Sequence, residues 1–115
     1  MPIKSFSNIS FADNGKVVFG DSDDLKISHD GTQNLIESVS GHLKFLQNAN
    51  DADIIFQSDD GSGGVETYFQ LDGSAGTIEV AKTTRLADSV SLKLGSATDL
   101  ELFHDGTNSF INNNT

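Results

Sequence analysis

Apolar residues come in short clusters along the chain: Val17 to Phe19, Leu25 and Ile27, Leu35 and Ile36, Leu43 to Leu46, Ile54 to Phe56, Val65 to Leu71, Ile78 and Val80, Val90 to Leu94, Leu100 and Leu102, then Phe110 and Ile111. The typical spacing is about ten residues, the rhythm of short strands joined by turns. Inside the clusters the period is two. Val65, Thr67, Phe69 and Leu71 fall on one face and Glu66, Tyr68 and Gln70 on the other, as expected where successive side chains point to opposite sides of a strand. Between clusters lie Asp13-Asn14-Gly15, Asp30-Gly31, Asp59-Asp60-Gly61, Asp72-Gly73 and Asp105-Gly106, where Gly and Asn tolerate the positive φ of tight turns. The best helical stretch, Thr83 to Ser91, is short and also reads as a turn leading into a strand. The pattern predicts an all-β chain of short strands joined by Asp-Gly turns.

An internal repeat is the most informative feature. Gly20 to Ile36 reappears as Gly95 to Ile111 at an offset of 75 residues without a gap. Eight positions are identical: Gly20/Gly95, Asp24/Asp99, Leu25/Leu100, His29/His104, Asp30/Asp105, Gly31/Gly106, Thr32/Thr107 and Ile36/Ile111. Phe19/Leu94, Ile27/Leu102 and Leu35/Phe110 keep their apolar character. The 115 residues are expected to form one unit, 1–115, with a first repeat copy at 17–38, an intervening β segment at 39–91 and a second, truncated copy at 92–115. The chain thus holds about one and a half periods and looks like an excerpt from a longer repetitive polymer. In such architectures each unit buries its apolar face against a neighbour, so a short piece needs partners.

Composition sharpens that expectation. The hydrophobic fraction is 36%, with no Trp and one Tyr beside eight Phe. A lone domain of this length buries about two-thirds of the surface its unfolded chain exposes, so a chain this poor in apolar residues has a thin core that association would complete. With 17 acidic against 7 basic residues the formal charge is −10, and Lys and Arg are scattered singly. Nucleic acid and anionic bilayers, both bound through clustered cations, are therefore excluded as natural ligands. No apolar run approaches the ~20 residues that cross a bilayer, and Met1 to Phe11 lacks the cationic and apolar parts of a signal peptide. The chain reads as soluble, without membrane insertion or a signal peptide. There is no Cys, hence neither disulfides nor thiolate metal sites.

The pattern Gly-x-x-x-Asp-Leu-x-Leu/Ile-x-His-Asp-Gly-Thr-x-x-x-Ile, at Gly20 to Ile36 and Gly95 to Ile111, resembles a repeat of tail-fibre and other virion structural proteins of marine phages. The stretch from Asp59 to Ser74 looks like a linker motif of the same proteins, and together the resemblances cover about half the chain. They imply a virion-associated, extracellular, intertwined homotrimeric β-fibre, triple β-helix or β-prism like, with a role in host attachment. A trimer would carry three times −10, a formal charge of −30. Its shared apolar axis is expected to take Leu25, Ile27, Leu43, Phe45, Ile54, Phe56, Phe69, Leu71, Ile78, Val80, Leu92, Leu94, Leu100 and Leu102.

The candidate sites each have a structural reading. His29-Asp30-Gly31-Thr32 and His104-Asp105-Gly106-Thr107 read as turns in which Asp accepts backbone N–H bonds and Gly takes the left-handed position. Were symmetry-related His29 or His104 side chains to converge on an axis, their imidazoles would suit a transition metal. Asp21 to Asp24, and Asp59 and Asp60 with the Gly-rich run after them, offer oxygen ligands to Ca²⁺, although neither matches a known calcium loop. No metal site or other cofactor is expected. Tyr68 and Phe103 are aromatic platforms for a sugar or, by default, packing surfaces for a neighbour. No Cys nucleophile, Gly-x-Ser-x-Gly elbow or phosphate-binding Gly loop occurs, so no enzyme is expected.

The function that emerges is a stiff trimeric spacer of a phage tail fibre or similar virion appendage, whose partners are copies of itself and, at the host surface, a glycan or receptor. The alternatives are a lectin-like glycan-binding β module, calcium-dependent or not, and a monomeric β-sandwich without a fibre role.

Overall fold

A computed structural model describes residues 7–114; Met1 to Phe6, part of the Met1 to Phe11 stretch expected to lack a signal peptide, and Thr115, the end of the second repeat copy, lie outside the described residues. Among the described residues there is no helix, and nine strands form three antiparallel sheets. The first sheet holds β1 (Lys16–Phe19), β2 (Leu25–His29) and β3 (Asn34–Ser38). The middle sheet holds β4 (Ile54–Asp59), β5 (Val65–Asp72) and β6 (Thr77–Val80). The third holds β7 (Leu92–Leu94), β8 (Leu100–His104) and β9 (Ser109–Asn113). Each sheet is a simple meander in chain order. The chain divides into two compact units between Phe45 and Leu46. The first sheet belongs to the first unit, the other two to the second, and within the second unit no strand of one sheet contacts a strand of the other.

The two repeat copies fold alike, pair for pair. Phe19 faces Leu25 as Leu94 faces Leu100; Ile27 faces Ile36 as Leu102 faces Ile111; His29 faces Asn34 as His104 faces Ser109. The register is therefore carried by the repeat itself, because a period-two strand can shift its pairing only by exchanging its two faces or its turns. Turn closure follows the same offset: Asn14 N donates to His29 O at 2.8 Å and Ser89 N to His104 O at 2.7 Å. Val39 N donates to Asp24 O and Asn114 N to Asp99 O, both at 2.8 Å. The likeness also extends upstream of the expected boundaries at 17 and 92, since Ala12-Asp13 and Ala87-Asp88 occupy the same places in the two turns.

The identical residues of the repeat are those of its two turns and one face. Gly20 and Gly95 open the five-residue connection between the first two strands, each at φ 88°. A Cβ on either would collide with the carboxylate of Asp24 or Asp99, which closes the same connection. These glycines are required both by backbone sign and by space.

The middle sheet shares few of these residues but has the same frame. All three sheets place five residues between their first and second strands (20–24, 60–64, 95–99) and four between their second and third (30–33, 73–76, 105–108). The middle sheet departs by a β-bulge. Phe56 faces Phe69 and Gln57 faces Thr67, which leaves Tyr68 as the extra residue. The bulge interrupts the alternation expected to hold Val65, Thr67, Phe69 and Leu71 on one face.

Nine of the ten apolar clusters lie in strands; Leu43 to Leu46 does not. That cluster finds no ladder partner, and period two makes a strand only where a neighbouring backbone accepts its hydrogen bonds. Thr83 to Ser91 contains no helix, and residues 88–89 form a turn just ahead of β7. In the turn between β5 and β6 the left-handed position falls to Gly76, at φ 67°, and not to Gly73 of the Asp-Gly pair.

Substitution at the repeat glycines separates backbone strain from crowding. Gly41 has φ 72° with open space where a methyl group would stand, so Gly41→Ala carries the left-handed penalty alone, about 1–2 kcal/mol. Gly20→Ala and Gly95→Ala are expected to cost more than Gly41→Ala, as lower melting temperatures followed by circular dichroism.

Candidate functional site

Each meander gathers apolar residues on one face, bounded in the first and third sheets by the pairs His29–Asn34 and His104–Ser109 and by Ser38 and Asn113. Cross-strand partners and their i+2 neighbours share a face. In the first sheet this brings together Val17, Ile27 and Ile36 in one row and Phe19 and Leu25 in the next. In the third sheet the equivalent rows are Leu92, Leu102 and Ile111, then Leu94 and Leu100. In the middle sheet they are Ile54, Leu71 and Ile78, then Phe56, Phe69 and Val80. Every residue expected on a shared apolar axis lies in these rows except Leu43 and Phe45, which belong to no strand. Val17, Phe19, Ile36 and Ile111 join them; the 75-residue offset maps Val17 and Phe19 onto the expected Leu92 and Leu94, and Ile36 onto Ile111.

Nothing covers these faces. Among the described residues not one side chain is fully buried, and Ile27, Phe56, Leu92 and Ile111 are respectively 44, 41, 51 and 77% exposed. The chain exposes 9727 Å². Two separately compact domains of 45 and 70 residues, the lengths of the two units, would together expose about 7,300 Å². The excess, about 2,400 Å², exceeds the total that a specific protein interface usually buries, about 1,600 Å². In the first sheet Phe11 borders the same face and leaves an open groove lined by Val17, Ile27 and Ile36.

The opposite faces are mixed. Lys93 lies 3.7 Å from Glu101. Glu101 is held below the usual carboxylate range first by the Ser91 hydroxyl and then by Lys93 and Asn112. Phe103 lies on this face and stacks on Phe110, with ring centroids 4.7 Å apart. Tyr68, the residue of the bulge, donates its hydroxyl to Asp59 O at 2.7 Å and has Lys82 Nζ 5.8 Å from its ring centroid; Lys82 also pairs with Glu66. Both aromatic side chains are engaged within their own sheets.

The acidic residues singled out in the sequence close turns. Asp30 Oδ1 accepts the N–H groups of Thr32 and Gln33, each at 2.8 Å, and Asp105 Oδ1 those of Thr107 and Asn108 at 2.8 and 2.7 Å. Gly31 and Gly106 follow at φ 95° and 96°. Asp60 Oδ1 accepts three bonds, from Ser62 N, Ser62 Oγ and Gly64 N, and Asp59 accepts Gly61 N at 2.9 Å. Asp24 takes the Ser40 hydroxyl at 2.7 Å, while Asp23 sits in the left-handed region at φ 55°.

His29 Nδ1 is 3.1 Å from Asn34 Oδ1 and its Nε2 3.9 Å from Asp13; His104 Nδ1 is 3.2 Å from Ser109 Oγ. Among the described residues no group of three or more His, Cys, Asp or Glu is arranged to hold a metal ion. No helix among them is long and apolar enough to cross a membrane.

The turn carboxylates make the fold sensitive to acid in a defined direction. The backbone N–H bonds, that of Gln33 foremost for Asp30 and that of Asn108 for Asp105, hold both carboxyls below their ordinary value. Asp60 and Asp72 are lowered likewise, by the Ser62 hydroxyl and by the Ala75 N–H above all. A carboxylate lowered on folding contributes stability that is present above its unfolded pKa, about 3.9, and is lost as pH falls through the folded value. In the Asp30→Asn/Asp105→Asn variant the amide oxygen accepts the same bonds at every pH. The melting temperature of the native chain is expected to exceed that of the variant at pH 7, and the gap to close as pH falls below about 4.

Comparison with protein families, with curated proteins and with solved structures finds no match for this chain.

Proposed function

We propose that the chain is a self-assembling structural segment of a phage tail fibre or similar virion appendage, a stiff trimeric spacer with a part in host attachment. The observation that carries this reading is the uncovered apolar row, repeated in three meanders that share one set of loop lengths. An isolated sheet with a bare apolar face is unstable in water, and its commonest remedy is a second layer. A partner for three such faces must itself offer apolar faces in series, and a sister chain does so by construction. The turns and outer faces carry the acid residues, which keep the assembled particle from sticking sideways. A role as passive spacer also fits the commitment of the acidic side chains to turn closure. The number three comes from the resemblance to tail-fibre repeats; the need for partners comes from the chain.

The mass in solution tests this. At low micromolar concentration the particle is expected at three times 12.3 kDa, about 37 kDa, by light scattering coupled to size exclusion, with a melting temperature that rises with concentration. Each covered Ile or Leu is worth about 1.5–3 kcal/mol per copy. Ile27→Asp or Leu102→Asp is accordingly expected to dissociate the particle, whereas Lys26→Asp, on the opposite face, leaves its mass unchanged. A 12.3 kDa species that stays folded on dilution removes the proposal.

A further inference from the structure

Resting on that reading, we infer that sister chains meet sheet for sheet, and that the stacked Phe56 and Phe69 of the middle sheet are the key that fixes this register. The repeat creates a pairing problem. The first and third sheets agree in strand pairing, loop lengths and apolar rows. A face that fits the first sheet of a sister chain therefore fits the third nearly as well, the rows differing by Val17 against Leu92, Phe19 against Leu94 and Ser38 against Asn113. Between chains that run in the same direction, pairing of one first sheet with a sister's third is a head-to-tail contact. Such a contact forms a ring only where its rotation closes, and otherwise runs on into an open polymer. A spacer of fixed copy number needs something that distinguishes matched from slipped pairing.

The middle sheet supplies the difference. Its first row, Ile54, Leu71 and Ile78, is aliphatic like those of its neighbours. Its second row is Phe56, Phe69 and Val80, at the fourth pair from the turn between its second and third strands, whereas the second rows of the other sheets, Phe19, Leu25 and Ser38 or Leu94, Leu100 and Asn113, lie at the fifth. It carries two rings and a branched apolar residue, whereas the second rows of the other sheets end on a polar one. The two rings lie 4.5 Å apart and within 2° of parallel, so they form one rigid ridge. The bulge at Tyr68 ends the apolar surface beside it, with Gln57 and Thr67 next in register. Val80 at the end of that ridge overfills a face that ends on Ser38 or Asn113, whose polar side chain would be buried against it without a partner. Matched against its own kind the ridge meets the same volume and the same polar boundary. Selection by a misfit in the wrong pairing is the usual way a repetitive interface acquires a single register.

The native chain has no Cys, so single cysteines can report the register. Thr32→Cys and a size-tagged Thr107→Cys chain, each in an exposed turn, are refolded together and treated with a short bis-maleimide. Matched assembly gives products linking position 32 to 32 and 107 to 107, with loss of the mixed 32–107 product. Prominent mixed product in otherwise native chains overturns the inference while leaving self-assembly intact; a particle of single-chain mass with no cross-links overturns the assembly reading itself. In chains that also carry Phe56→Leu and Phe69→Leu the mixed product is expected to appear and the single mass to broaden upward. If those chains keep unmixed products, the ring pair is not the key. Should the double substitution abolish folding by circular dichroism, Phe69→Leu alone serves in its place. Phe103→Leu with Phe110→Leu removes the other stacked pair, on the opposite face, and is expected to leave the register unchanged.

Discussion

A three-stranded meander with one apolar face has no interior of its own. Hydrogen bonds along its ladders satisfy the backbone, yet the hydrophobic term, the largest favourable one in folding, requires a second surface to exclude water. Here that constraint recurs three times in one chain, with no fully buried side chain among the described residues. Pairing, turns and face composition are all in order within each sheet, and among the described residues no second layer covers the apolar rows. The demand falls on side chains such as Ile27, Leu71 and Leu102, which sit in the middle strands of their sheets and have apolar neighbours on both sides.

The acidic character has a local origin as well as a global one. Asp30, Asp60, Asp72 and Asp105 each accept N–H or O–H bonds within a few residues of themselves. They add to the backbone bonds that close the same turns, Asp30 N to Gln33 O, Asp60 N to Gly64 O, Gly76 N to Asp72 O and Asp105 N to Asn108 O, by accepting donors that the backbone carbonyls leave over. Oδ1 of Asp60, in one of the acidic runs, accepts three donors within its own turn. Part of the negative charge thus belongs to turn chemistry, and charge along exposed sheet edges also opposes edge-to-edge pairing. The same turns account for four of the eight identities in the repeat, Gly20, Asp24, Asp30 and Gly31.

Much of this was legible in the residues. Alternation at Leu25 and Ile27, or at Leu92 and Leu94, marked strands because a side-chain period of two has no other regular solution. The 75-residue offset gave two copies of one meander, and the structure lengthens the match to Asp13 and Asp88, where carrying the same offset upstream would have found it. Leu43 to Leu46 misled because its composition suits a strand, whereas a strand also needs a partner that composition does not name. The bulge at Tyr68 was hidden for a related reason: an extra residue is defined by what lies across from it, and Gln57 and Thr67 become partners only when two strands meet.

The sequence by itself determined the class of structure, the position of most strands and the turn chemistry, because these follow from interactions among residues near one another in the chain. The tertiary structure alone decided that the middle segment shares the frame of the repeats, since five- and four-residue connections recur there on different residues. It also decided that the apolar rows of each sheet line up across all three strands on one face and stay uncovered. Register and burial are relations between distant segments, and no local pattern of residues contains them.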